Sequence, residues 1–172
     1  MTSFSVRLLN AIAAEEPQLR AVSEQAAQAK PGDKWSKKQE LGHLIDSSLN
    51  NRVRFVKAAL EGKFDGPGYD GDGWVDLAGY AEAPWVRLID HWKMSNESLA
   101  VLLNRIPKER MSASCIIGGA PPVTLEFVIE DYILHMQHHL DHILLAADKA
   151  ALRCRQRRRQ VNQIGVIGSD IL

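Results

Sequence analysis

Hydrophobic and polar positions repeat with a helical period in four stretches of the chain. The first covers about residues 3–29, rich in Ala, Glu, Gln and Leu, and stops at "KPGD", where Pro31 and Gly32 are strong breakers. The second covers about 36–62. Ser36 is placed to cap it, with Gln39 three residues on as the capping-box partner, and Gly62 is a natural stop. The third covers about 82–105, entered near Pro84 and ended by Pro107, and the fourth runs from near Thr124 to about 150. Between them lie two long connections. "KFDGPGYDGDGWVDLAG", residues 63–79, is dense in Gly and Asp and predicts no regular element. Its Phe64, Tyr69 and Trp74 predict packing over one end of the domain. "SASCIIGGAPPV", residues 112–123, is the second. No period-2 strand pattern persists, and the four segments predict an all-α fold, a four-helix bundle. The two long connections leave room for an up-down-down-up order as well as a simple meander.

Composition narrows the function classes. At 172 residues the chain is long enough for one domain with a sizeable core, and 45% apolar residues argue for a folded globular protein. Basic and acidic residues balance at 21 each, so nothing global argues for nucleic acid or an anionic membrane. Two distant cysteines, Cys115 and Cys154, form no CxxC pattern and no disulfide framework, which fits a reducing compartment. The first twenty residues do not read as a signal peptide, because Glu15 and Glu16 interrupt the apolar run. No apolar run approaches the roughly 20 residues of a membrane helix. A cytoplasmic location is expected. The bundle is assigned to residues 1–150 and a C-terminal tail to 151–172. That tail has five arginines between Arg153 and Arg159, then turns apolar. It reads as the solvated end of the last helix, with partner or nucleic-acid binding as the sharper alternative.

Candidate chemistry concentrates in "DYILHMQHHLDHI", residues 131–143, which holds four of the six histidines. On a helix, with His135 at zero, His139 lies at about +40°, His142 at about −20° and His138 at about −60°. Two i,i+4 pairs could each chelate an ion: His135/His139 and His138/His142. The apolar residues of this helix spread from about +20° to +140°, so His135 and His139 border the interior and the other two turn towards the polar side. A catalytic zinc-type site ordinarily has three protein ligands and an open position. His43 and His91 are the remaining histidines. His43 lies on a stripe with Gln39, Ser47, Asn50 and Arg54, roughly opposite Leu41, Leu44, Ile45, Phe55 and Ala59. That stripe faces either solvent or a polar cleft; periodicity leaves both open. The HExxH arrangement is absent.

"KWSKKQELGHLIDSSLNNRVRFV", "YDGDGWVDLAGY", "LIDHWKMSNESLAVLLNRIP" and "PVTLEFVIEDYILHMQHHLDHI" together resemble the DinB/YfiT-like superfamily of metalloenzymes over roughly residues 30–145. The specific feature is a W-S-x-x-E/Q and G-H-L segment coupled to a late H-x3-H. The resemblance implies a four-helix bundle of up-down-down-up topology. It also implies a metal triad of His43, His135 and His139, which places the His43 stripe on a polar cleft. Where the family often has Gln, this chain has His142, a fourth nitrogen near the site or a polar neighbour.

Three neutral imidazoles leave a divalent ion, zinc or nickel by this reading, its full charge, which activates water or a small thiol. The expected function is therefore a metal-dependent hydrolase or a low-molecular-weight thiol S-transferase, both of which the resemblance supports. The alternative is a non-catalytic, metal-stabilised stress-response or interaction module. Expected partners are a small-molecule substrate, a low-molecular-weight thiol and, by family analogy, a second copy in a homodimer. Asp46, one turn beyond His43, and Asp131, one turn before His135, are placed to accept a ligand's second N–H. Asn50, Arg54 and His142 complete the pocket candidates. Arg54 is read as pairing with a nearby carboxylate before an anionic substrate. Trp35, Trp74, Trp85 and Trp92 are read as core.

Overall fold

The computed structural model describes residues 2–144. Four long helices dominate it: α1 (Ser3–Ala21), α3 (Lys37–Glu61), α5 (Trp85–Arg105) and α6 (Leu125–Leu144). Two short ones accompany them, α2 (Glu24–Gln28) and α4 (Gly71–Ala78). The strands β1 (Lys63–Gly66), β2 (Ser114–Ile117) and β3 (Val123–Thr124) form a small sheet in the order β1-β2-β3. The Arg-rich tail and the last turns expected for the fourth helix lie outside the described residues.

Local chemistry sets the boundaries. The Ser36 side chain accepts from the Gln39 amide while Gln39 accepts from the Ser36 amide, a complete capping box, and Gly62 closes α3 in the left-handed region at φ 76°. Pro84 precedes α5, and the Thr124 hydroxyl accepts from the Phe127 amide at the start of α6. Two expectations need correction. The single helix predicted for 3–29 breaks at Val22, which is extended, because the Ser23 hydroxyl caps a new helix through the Ala26 amide. The stretch 63–79 does hold regular elements. Its Asp and Gly residues supply caps: the Asp70 carboxylate accepts from the Gly73 amide, and Gly79 closes α4 at φ 66°. The strands are four, four and two residues long, too short for alternation to register in the sequence.

The sheet fixes the helix order. β1 folds back from the end of α3 and β2 from the end of α5, and the two pair in parallel, Phe64 opposite Cys115. α3 and α5 therefore end at the same end of the bundle. β3 runs antiparallel to β2 and leads straight into α6, which returns. With the short connection from α1 to α3, this is the up-down-down-up order. Around the bundle, α1 packs on α5, α5 on α3, α3 on α6 and α6 on α1, so the consecutive helices α1 and α3 stand diagonally.

The core runs through Leu8, Leu41, Phe55, Trp92, Leu103 and Tyr132. Trp85 donates from its indole to the Leu19 carbonyl at 3.0 Å, and Tyr132 donates to Asn96 at 2.5 Å. Trp85 and Trp92 are core, as expected. Helix α3 is central: beyond its bundle neighbours it meets α2, α4 and two strands, so residues 41–48 are buried without exception.

One close approach tests this packing. The Tyr80 ring lies directly over Gly42, so that a Cβ at 42 would fall within it. The same tyrosine donates to Asp46 at 2.7 Å. Alanine favours a helix over glycine by about 1 kcal/mol. Even so, Gly42→Ala is expected to destabilise by roughly 2 kcal/mol through overpacking, lowering Tm by about 5 °C. A thermal melt matching or exceeding the wild-type midpoint would contradict the contact.

Candidate metal centre

Three imidazoles from two facing helices converge. His43 comes from the second turn of α3; His135 and His139 come from consecutive turns of α6. The Nε2 atoms of His43 and His135 are 3.1 Å apart, and one ligand atom from each of the three histidines lies within 4.8 Å of the others. Ring centroids are 4.5 Å apart for His135/His139 and 4.7 Å for His43/His139. Two nitrogens bound tetrahedrally at about 2.05 Å would stand about 3.3 Å apart, so the donor set fits a small divalent cation without rearrangement of the pair. His43 and His135 are buried and His139 is half-buried, which leaves the cluster one accessible side.

Electrostatics suits a neutral donor set. Burial, then the neighbouring His139, push His43 down to about 4 against the opposing pull of Glu40. It is therefore an uncharged imidazole at neutral pH, the form that binds a cation. The outer nitrogen of His139, Nδ1, pairs with the Glu40 carboxylate across the helix interface. That contact fixes the tautomer and leaves Nε2 for the cluster. Burial alone would raise the Glu40 carboxyl; hydrogen bonding with His139 and His142 outweighs it and holds Glu40 at about 2. The His142 Nδ1 stands 3.7 Å from the other Glu40 oxygen, and this pairing raises His142. Glu40, His139 and His142 thus form a second group of ligand-type atoms sharing His139 with the first.

Aromatic rings wall the cluster. Trp35 lies 5.1 Å from the His43 ring and 6.5 Å from His139. Tyr69 stacks on His43 at 6.4 Å and 28°, and Trp74 packs on Tyr69 at 5.1 Å. Trp35 and Trp74, read from the sequence as core, are wall residues instead. Trp35 sits in the turn before α3, half-buried, and Trp74 on α4 is exposed. Tyr69 is pushed up to about 12 by burial, so its phenol stays a donor.

The remaining candidates divide. Asp46 is buried, but it accepts from the Tyr80 hydroxyl at 2.7 Å and has no contact with a cluster histidine. Burial raises its carboxyl. Asn50 donates to the Asp46 carbonyl at 3.0 Å, within its own helix. Arg54 is 2% exposed and donates to the Asn51 side chain at 3.3 Å; the carboxylate partner expected for it is not found among the described residues. Asp131 is half-buried one turn before His135. His142 is exposed beside Glu40. His138 is half-buried, its ring 4.1 Å from that of His142, and His91 is exposed. The solvent-facing alternative for the His43 stripe fails. Residues 63–80 pack back over α3, so Gln39, His43, Ser47 and Arg54 are all buried. Glu40 is the residue missed. It precedes His43 by one turn, as Asp131 precedes His135, but it reaches across to α6 rather than along α3, which spacing within one helix cannot show.

Comparison with known proteins agrees with this architecture. The solved structure of YfiT from Bacillus subtilis, described as a probable metal-dependent hydrolase with an unusual four-helix bundle topology, superposes with a TM-score of 0.70 at 19% identity. The match covers 92% of this chain and 90% of that one. A search of curated proteins found no match. The sequence model of the DinB superfamily matches residues 9–143, and this chain therefore belongs to the DinB superfamily.

Proposed function

We propose that this protein is a metal-dependent hydrolase acting on a small molecule, with a divalent ion, zinc or nickel, held by His43, His135 and His139. The observation that carries this reading is the convergence of three imidazoles within 4.8 Å, two of them facing Nε2 to Nε2 at 3.1 Å. YfiT, which shares the fold, is described as a probable metal-dependent hydrolase, and this agrees with the reading. A divalent ion on three neutral nitrogens acts as a Lewis acid and makes water nucleophilic near neutral pH. The chain's own groups prepare for this. Glu40 orients His139 by accepting its Nδ1 proton. Burial keeps His43 uncharged. Trp35 and Tyr69 exclude bulk water from two sides of the cluster. A small thiol in place of water would use the same three imidazoles, so assay rather than geometry separates hydrolysis from thiol transfer.

Protein purified without added metal is expected to carry close to one zinc or nickel per chain by elemental analysis. His43→Ala and His139→Ala should each lose it; a variant retaining full metal would remove the triad. Glu40→Gln keeps the fold but weakens acceptance from His139, and should reduce metal affinity by about 10–100-fold. That is read by competition with a chromogenic chelator. p-Nitrophenyl acetate hydrolysis should fall on chelation and return with metal. Acceleration by added cysteine with thioester formation would identify thiol transfer. A lowered Tm on chelation with no turnover of either kind would identify a structural ion and a non-catalytic module.

A further inference from the structure

Beyond the histidines, α3 carries a second unusual feature. His43, Ser47, Asn51 and Arg54 follow one face, every one of them at most 5% exposed. Side chains on a helix lean towards its N-terminus. Arg54 does so, its Nη1 donating to the Asn51 side chain at 3.3 Å, while Asn51 in turn donates to the Ser47 carbonyl at 3.0 Å. The guanidinium is thus drawn up α3 towards the histidine cluster. Its Nη2 is buried with no hydrogen-bond partner, and no carboxylate lies within ion-pair distance among the described residues. A buried cation ordinarily carries its counter-charge with it. The Tyr69 hydroxyl is likewise buried, with the Ser47 hydroxyl beside it, and its ring stacks on His43. Ser47, beside the Tyr69 hydroxyl, stands on the same face of α3 as Asn51 and Arg54, and the Arg54 charge acts on Tyr69, so guanidinium and phenol share one neighbourhood.

We infer that Arg54 and Tyr69 form an anion subsite that receives the carboxylate of the substrate, with the bond to be cleaved directed at the histidine cluster. The donor count selects the anion. One guanidinium nitrogen and one phenol match the two oxygens of a monoanionic carboxylate, whereas a phosphate dianion would call for more donors and more positive charge. The Tyr69 ring, stacked on His43, adds an apolar surface that joins subsite to cluster. This assignment of substrate class rests on the metal-enzyme reading, but the subsite itself is built from residues outside the triad.

The test is calorimetric titration of the zinc-loaded full chain with benzoate, against benzamide as the neutral comparator and phenyl phosphate as the dianionic one. Benzoate should bind at least tenfold more tightly than benzamide and more tightly than phenyl phosphate. Arg54→Met should bring benzoate down to the level of benzamide while zinc content stays unchanged, and Tyr69→Phe should weaken benzoate several-fold. Equal binding of benzoate and benzamide, tighter binding of phenyl phosphate, or an unaffected Arg54→Met would overturn the assignment. If Arg54→Met does not fold, unchanged benzoate affinity in Tyr69→Phe overturns it instead. His139→Ala separates this proposal from the metal reading. Benzoate preference that survives without zinc belongs to Arg54. Preference that disappears with zinc marks the carboxylate as a metal ligand and overturns the subsite alone. A wild-type chain that binds benzoate selectively but no zinc would sink the metal reading and leave the subsite standing.

Discussion

Helix α3 brings a polar face into the interior of the bundle, and the rest of the structure answers to that constraint. An unpaired buried polar group costs about 1–3 kcal/mol, and a buried charge more. A helix carrying His43, Ser47, Asn51 and Arg54 inward can only persist if neighbours cover it on every side and satisfy most of it. The bundle does this by standing α3 diagonally from α1 and between α5 and α6. The long connection after α3 then folds back along it. Ser47 and Asn51 satisfy one another and the helix backbone, one Asp46 oxygen accepts from Tyr80, and His43 faces His135. The inner side of the imidazoles and the free arm of Arg54, among the groups left over, are where ligands are expected.

The parallel run of α3 and α5 follows from the same need. Antiparallel neighbours could be joined by a tight turn, but that would leave α3 open on its polar side. A parallel pair forces the chain to travel the length of the bundle between them. That return segment carries β1, Tyr69, α4 and Tyr80, the parts that cover His43 and Gly42. The short strands are the hinge of the arrangement: four backbone pairings register the ends of α3 and α5, and two more set α6 in the opposite direction.

Much of this was legible in the sequence. Caps gave the edges of α3 to within a residue, since Ser36, Gln39 and Gly62 act through local backbone geometry alone. The angular arc on α6 separated His135 and His139 from His138 and His142, because orientation on a helix depends only on spacing and on where apolar residues fall. Legibility failed wherever a contact joined distant segments. His43 was ambiguous because its covering layer lies more than twenty residues downstream. Glu40 was invisible as a partner of His139 because 99 positions separate them. Trp35 and Trp74 looked like core on composition, yet their hydrophobicity serves a wall around the histidines. The Gly and Asp residues of 63–79 looked like breakers, and two of them are caps; the same residue types serve both ends.

His142 shows how a departure from the resembling family can be absorbed. A histidine at this position is too exposed to join the triad, and its Nδ1 faces Glu40 rather than His43 or His135. Its effect is on the carboxylate. Glu40 is gripped from two sides, by His139 through one oxygen and by His142 near the other. Gripped in this way, the carboxylate has less freedom to rotate away from His139, and its charge is shared between two imidazoles. That sharing bears on His139, whose Nδ1 pairs with the same carboxylate. A second partner for Glu40 holds the carboxylate that orients His139 without adding a contact to the cluster itself. The fourth histidine of the helix thus acts at one remove from the three-histidine cluster, through the carboxylate that orients His139.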